Sequence, residues 1–222
     1  MSILLGDVFP NFEAESTQGH VTFHDWLGDS WGILFSHPAD FTPVCTTELA
    51  RAASLAPEFE RRGVKMIALS IDSVQDHEAW TKDIQAYRDS SDGSLPYPIL
   101  ADPNRRLAVQ LGMLDPIERD RTGMPLTARC VFIVGPDKKL KLSLLYPAST
   151  GRNFDEILRV IDSLQLTRRL PCATPVDWKP GERVMIPPNV GPDALAKHFP
   201  NDVEVTMLPS GKPYLRHTEI KD

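Results

Sequence analysis

The 222-residue sequence predicts an α/β domain over residues 1–167 followed by a small C-terminal α+β unit over 168–222. Two observations give the first part: apolar runs of strand length alternate with helix-period segments, and a β-hairpin and a last helix close the series. The third is a change of texture beyond Thr167, where Pro171, Pro175, Pro180, Pro187, Pro188 and Pro192 crowd together as they would in an extended arm.

Residues 31–35 (Trp-Gly-Ile-Leu-Phe) read as a strand, 43–62 as a helix, 64–70 as a strand and 74–87 as a helix. After Pro96-Tyr-Pro98-Ile-Leu100 comes a short helix at 104–111. Strands at 130–134 and 140–146 flank a Gly135-Pro136-Asp137-Lys138 turn, and an amphipathic helix at 154–166 carries Ile157, Leu158, Ile161 and Leu164 on one face. A β-α-β-α order followed by a hairpin and a helix is what a thioredoxin-like sheet requires. In the tail, a helical pattern at 193–199 and a strand-like 203–208 favour a small second domain over disorder.

Composition narrows the function. With 41% apolar and 24% charged residues and no run of roughly 20 apolar residues, a membrane-spanning helix is not expected. A net charge of −6 gives no electrostatic reason to bind nucleic acid. The opening Met-Ser-Ile-Leu-Leu-Gly-Asp lacks a basic segment and a long apolar one, so the expected compartment is the reducing cytoplasm. Three cysteines, Cys45, Cys130 and Cys172, have no metal-ligand spacing and are too few for a disulfide framework. The six histidines are scattered, so neither a metal nor another cofactor is expected.

Chemistry concentrates in Ser36-His-Pro38-Ala-Asp-Phe-Thr42-Pro-Val-Cys45-Thr-Thr-Glu48, directly after a buried strand and at the start of a helix. Thr42 is placed to be the N-cap, Pro43 the first helical residue and Cys45 the third, which puts the sulfur among unpaired N–H groups. A free thiol titrates near ~8.5, and lowering that by about two units takes roughly 2.7 kcal/mol of preferential interaction with the thiolate. A helix terminus contributes about 0.3–1 kcal/mol, up to ~2 when partly buried, so a cation is needed as well. Arg129 and Arg152 are the candidates, and spacing does not choose between them. A bare carboxylate one turn from Cys45 would oppose ionisation, so Glu48 is expected to pair with an arginine and orient it.

Pro38-x-x-x-Thr42-x-x-Cys45 matches the peroxiredoxin active-site pattern, and the flanking sequence resembles the one-cysteine, peroxiredoxin-six branch in particular. The likeness continues through Ile67-Ala-Leu-Ser-Ile-Asp72, Leu126-Thr-Ala-Arg129, Thr150-Gly-Arg152-Asn-Phe, Pro175-Val-Asp-Trp178 and Leu208-Pro-Ser-Gly-Lys212. The resemblance implies a thiol-dependent peroxidase acting on hydrogen peroxide and on organic or phospholipid hydroperoxides. It implies that Cys45 becomes a sulfenic acid, that Thr42 holds the peroxide, that Pro38 shields the sulfur, and that Arg129 stabilises thiolate and leaving oxygen. Glu48, Arg152 and His37 fall at supporting positions, although a packed strand-end histidine is the simpler reading of His37. Ala39 departs from the pattern, since many relatives carry an arginine there.

The same resemblance implies a homodimer, with arm exchange accounting for the proline-rich segment, and an external thiol as reductant: glutathione, delivered with a glutathione transferase. If Arg129 points at Cys45, Cys130 points to the other face of its strand and into the core. Cys172 lies close to where two-cysteine relatives carry a resolving cysteine, so a disulfide cycle is an alternative. A second is a calcium-independent phospholipase A2 activity with transient phospholipid contact, using Ser30 of Gly28-Asp-Ser30-Trp-Gly32 with His24 and Asp137. Ser30 precedes a strand, however, where a hydrolase elbow follows one. A peroxide sensor or chaperone is the non-enzymatic alternative.

Overall fold

The computed structural model describes residues 3–90, 93–199 and 203–220. The chain divides into two compact units, 1–154 and 155–222.

The first unit opens with a short antiparallel pair, β1 (Glu13–Ala14) and β2 (Val21–Thr22), and the one-turn helix α1 (Phe23–Leu27). Strand β3 (Trp31–Ser36) follows, then helices α2 (Pro43–Ser54) and α3 (Ala56–Arg61), strand β4 (Val64–Ser70), helix α4 (Val74–Tyr87), strand β5 (Ile99–Ala101) and helix α5 (Arg106–Gln110). A two-stranded ladder of β6 (Leu114–Arg119) with β7 (Pro125–Thr127) precedes the hairpin of β8 (Arg129–Val134) and β9 (Leu140–Tyr146).

Five strands form the main sheet in the order β5-β4-β3-β8-β9. The first three run parallel and the last two antiparallel, the thioredoxin-like arrangement expected from the element order. All six residues of β3 are buried, as are all six of β8, which explains why they read as continuous apolar runs rather than alternating ones. One face of the sheet packs Leu34, Ile67, Leu69, Cys130, Phe132 and Val134 against Phe9, Phe12 and Phe23. At the end of β3, the Ser36 hydroxyl donates to the Ala128 carbonyl (2.6 Å) and accepts from the Cys130 N–H (3.0 Å), fastening the start of β8 beside the point where the chain leaves for α2.

The single helix expected over 43–62 is two. Pro57 has no N–H to donate and its ring crowds the preceding turn, so α2 ends at Leu55 and α3 starts afresh with Pro57 in its first turn. The β6–β7 ladder was not foreseen, because its mostly exposed residues carry no alternation. The short helix expected at 104–111 narrows to α5, entered through a left-handed Arg105.

The second unit holds helix α6 (Phe154–Arg169), strand β10 (Val184–Met185), helix α7 (Pro192–His198), and strands β11 (Glu204–Thr206) and β12 (Leu215–Thr218), with sheet order β10-β12-β11. The helix and strand anticipated at 193–199 and 203–208 correspond to α7 and β11; β10 and β12 were not anticipated. Its core is Cys172, Trp178, Val184, Ile186, Val190 and Phe199, with Leu166 and Leu170 packed against it. The end of α6 thus shares a core with the proline-rich segment, and the division falls at 154/155 rather than at the expected 167/168.

Leu34 is fully buried in the central strand. Leu34→Ala is expected to lower the unfolding free energy by about 2–5 kcal/mol through lost transfer energy and a residual cavity, read as a lower urea midpoint with unchanged slope.

Candidate active site

Strand β3 delivers the chain into the loop 37–42, and the loop delivers it into α2. Thr42 has the extended backbone of an N-cap and Pro43 is the first helical residue, which places Cys45 third. Thr42 does not cap with its side chain as expected, however; its hydroxyl donates to the Ala39 carbonyl at 2.9 Å. The hydroxyl proton is therefore committed to the loop, which leaves the oxygen lone pairs as its remaining hydrogen-bonding capacity. Cys45 is fully buried, Pro38 is buried and Thr42 is half-buried.

Glu48 lies one helical turn after Cys45 on the same face. Two guanidinium groups converge on it. Arg129, the first residue of β8, donates from Nη1 to Glu48 Oε2 (2.7 Å) and to Cys45 Sγ (3.2 Å), while its Nε and Nη2 both donate to the Ala148 carbonyl (3.0 and 2.6 Å). Arg152 grips the carboxylate from the other side, with Nε on Oε1 (3.0 Å), Nη2 on Oε2 (2.8 Å) and its backbone N–H on Oε1 (2.7 Å). Its Nη1 goes to the Cys130 carbonyl (2.8 Å), and the group sits 5.7 Å over the Phe35 ring. Burial by itself would raise the Glu48 pKa; the hydrogen bonds and charge of Arg152, with the charge of Arg129, reverse this and hold the carboxyl below its ordinary value. Two cations against one carboxylate leave one positive charge uncompensated, and the group carrying it touches the sulfur. The choice that spacing left open is settled by position: Arg129 meets Cys45, and Arg152 braces Glu48.

The loop holds a second buried constellation that the sequence reading missed. Asp40 Oδ1 pairs with His37 Nε2 (2.7 Å) and Oδ2 with His77 Nδ1 (2.6 Å), while His77 Nε2 lies 3.2 Å from the Leu100 carbonyl. The Asp40 N–H donates to Asp72 Oδ2 (3.0 Å), which also accepts from the Ser70 hydroxyl (2.6 Å). Burial would raise the Asp40 pKa, but hydrogen bonds to the two histidines bring it down to about 2; burial and the Asp40 charge push Asp72 up. The histidines called scattered therefore include two that meet. His37, Asp40 and His77 each offer a ligand atom within 4.8 Å of the others, although a cation there would have to displace protons from hydrogen bonds of 2.6 and 2.7 Å. A signal existed: His77 shares the helical spacing of Trp80, Thr81 and Ile84, all buried, so it belonged to the inner face of α4.

The other cysteines sit apart from this chemistry. Cys130 points into the apolar core, as the strand alternation required, and burial pushes its thiol up to about 11. Cys172 is buried in the core of the second unit, which raises its pKa, and it is a free thiol. The lipase residues are not assembled. His24 Nε2 is bonded to the Phe9 carbonyl (2.7 Å), Asp137 Oδ2 pairs with Lys141 Nζ (2.6 Å), and among the described residues no hydrogen bond joins Ser30 to His24. Ser30 lines an open groove of about 420 Å³ with Trp26, Lys65 and Met66. Among the described residues, no helix is long and apolar enough to cross a membrane.

Residues 5–143 match the AhpC/TSA family, and residues 163–201 match the C-terminal domain of 1-Cys peroxiredoxin. The chain is 69% identical over 217 residues to Peroxiredoxin-6 of Gallus gallus, covering 97% of each. It superposes on the crystal structure of the C45S mutant of Peroxiredoxin 6 of Arenicola marina with a TM-score of 0.95 at 62% identity, covering 98% of both chains. A yeast mitochondrial 1-Cys peroxiredoxin, described with a thiol resolving mechanism via glutathione/thioredoxin systems, superposes at 0.88 with 43% identity over 98% of this chain and 100% of that one.

Glu48→Gln removes the carboxylate that lies between two buried guanidinium groups, and is expected to cost about 3–5 kcal/mol of stability at neutral pH. Because the folded-state pKa of Glu48 is depressed, its contribution is complete above the ordinary carboxylate range and is lost as pH falls through the folded value. Urea unfolding at a series of pH values should accordingly show a shallower acid limb in the variant than in the wild type.

Proposed function

The chain belongs to the AhpC/TSA family as a one-cysteine peroxiredoxin of the peroxiredoxin-6 subfamily and is a thiol-dependent peroxidase; we propose that Cys45 is the sulfur that reacts. The observation that carries this assignment is the contact between Cys45 Sγ and Arg129, whose guanidinium is only partly neutralised by Glu48.

The thiolate attacks the terminal oxygen of the hydroperoxide. A sulfur–oxygen bond forms, the oxygen–oxygen bond breaks, and after one proton is taken up the products are Cys45 sulfenic acid and water or an alcohol. Arg129 and the helix start face the charge that moves from sulfur to the departing oxygen. Thr42, with its own proton on Ala39, accepts the hydroperoxide O–H and orients the terminal oxygen, while Pro38 keeps bulk water from the sulfur. Glu48 and Arg152 hold Arg129 in place.

An external thiol then resolves the sulfenic acid: one glutathione displaces water to form a mixed disulfide, and a second releases the Cys45 thiol. Burial of Cys172 in its own core and the match to the 1-Cys C-terminal domain support external resolution over a Cys45–Cys172 disulfide. A glutathione transferase would deliver the thiol, and the cycle suits a reducing compartment, the cytoplasm. The protein acts as a homodimer in this reading; β9 is an edge strand whose outer side, beyond the bonds of Leu140 to Gly6 and Asp7, has no strand beside it among the described residues, with Leu145 68% exposed, and the proline-rich arm supplies further contacts.

Mass spectrometry after one equivalent of hydrogen peroxide should find sulfenic acid on Cys45 and no Cys45–Cys172 disulfide; the disulfide would overturn the external-thiol cycle. Cys45→Ser should abolish peroxide consumption, Cys172→Ala should leave it intact, and Arg129→Gln should slow Cys45 oxidation by about 10²–10³, the scale of losing one charge-stabilising donor.

A further inference from the structure

We propose that His77, on helix α4, is a positioning residue that acts through Asp40 to fix the loop carrying Pro38 and Thr42 into the start of the helix that bears Cys45.

His77 spans two elements: its Nδ1 lies 2.6 Å from Asp40 Oδ2 and its Nε2 lies 3.2 Å from the Leu100 carbonyl of β5. His37 Nε2 lies 2.7 Å from the other Asp40 oxygen, and among the described residues its buried Nδ1 has no hydrogen-bond partner. Among the described residues, the groups facing His77 are Asp40 from the loop, the Leu100 carbonyl from β5 and the His37 ring at 6.3 Å, with Asp72 one hydrogen bond further on.

The loop needs such an anchor. Phe41 lies between Asp40 and Thr42 at φ 54°, in the left-handed region that a bulky side chain does not hold unaided, and it is 55% exposed, so its own packing does little to keep it there. Asp40 supplies the restraint: one carboxyl oxygen ties it to His37 at the end of β3, the other to His77 on α4, and its N–H ties it to Asp72 after β4. Of these partners, His77 alone comes from a helix. Removing it leaves the buried Asp40 carboxylate with His37 as its one side-chain partner among the described residues and loosens the left-handed Phe41 that immediately precedes Thr42.

The test needs a readout that a merely structural role would not give. His77→Leu should slow Cys45 oxidation by hydrogen peroxide roughly tenfold or more, as loss of an outer partner that orients a site does. His77→Asn, whose side-chain amide restores a donor where Nδ1 stood, should recover part of that rate. A folded His77→Leu protein, or His77→Asn should His77→Leu not fold, reacting at the wild-type rate also overturns the proposal. The proposal rests on Cys45 as the reacting sulfur; failure of that assignment is seen as unreactive Cys45 in the wild type, and failure of the His77 assignment as unchanged rates in the His77 variants.

Discussion

The site is organised by one requirement: the carboxylate of Glu48, 4% exposed, has to be neutralised where it lies. Taking an ion out of water costs several kcal/mol even after relaxation, and only well-directed partners offset that. Four hydrogen bonds from two arginines do so here. Since Glu48 is on α2, Arg129 opens β8 and Arg152 precedes α6, satisfying one carboxylate fixes the start of the helix against two other parts of the chain. Cys45 is carried on that helix, so its sulfur is placed by a restraint it does not itself make. A buried ion pair is weak evidence for net stability; its product here is geometry.

The second constraint works on the loop rather than the helix. Pro38 and Thr42 are separated by a left-handed Phe41, and a chain segment with that conformation in it keeps its shape only where its surroundings dictate it. Asp40 is tied on three sides, to elements on which the loop rests. Helix and loop are thus held by two separate buried carboxylates, Glu48 with arginines and Asp40 with histidines.

Much of this was legible in the sequence, and the exceptions have physical causes. Strands β3, β4 and β8 and helix α4 were readable because a strand buried on both faces, or an inner helix face, leaves an apolar signature. Pro43, Thr42 and Cys45 announced a helix start, and the need for a cation beside the sulfur followed from the size of the helix effect. What spacing could not provide was the meeting of residues 81 and 104 positions apart, so the division of labour between Arg129 and Arg152 waited for coordinates. Thr42 misled for a related reason: an N-cap oxygen ordinarily accepts from an N–H of the first turn, yet here the hydroxyl is turned to donate to the Ala39 carbonyl and makes no cap bond. The break at Leu55 was visible in Pro57 and was passed over in favour of an uninterrupted pattern. Asp40 and His77 were missed because each looks ordinary alone.

The three cysteines show what makes one of them different. All three are buried, so exposure does not sort them. Cys130 is enclosed by Leu34, Ile67 and Phe132, and Cys172 by its own small core; each loses solvation of a charged form and gains little in return, so each titrates above the ordinary thiol range. Cys45 is as deeply enclosed, but the group it touches is a guanidinium with charge to spare. The enclosure then has a consequence of its own. On the proposed assignment of Cys45, a sulfur enclosed to this degree meets a hydroperoxide at its terminal oxygens, so recognition rests on the oxygen–oxygen bond more than on what that bond carries.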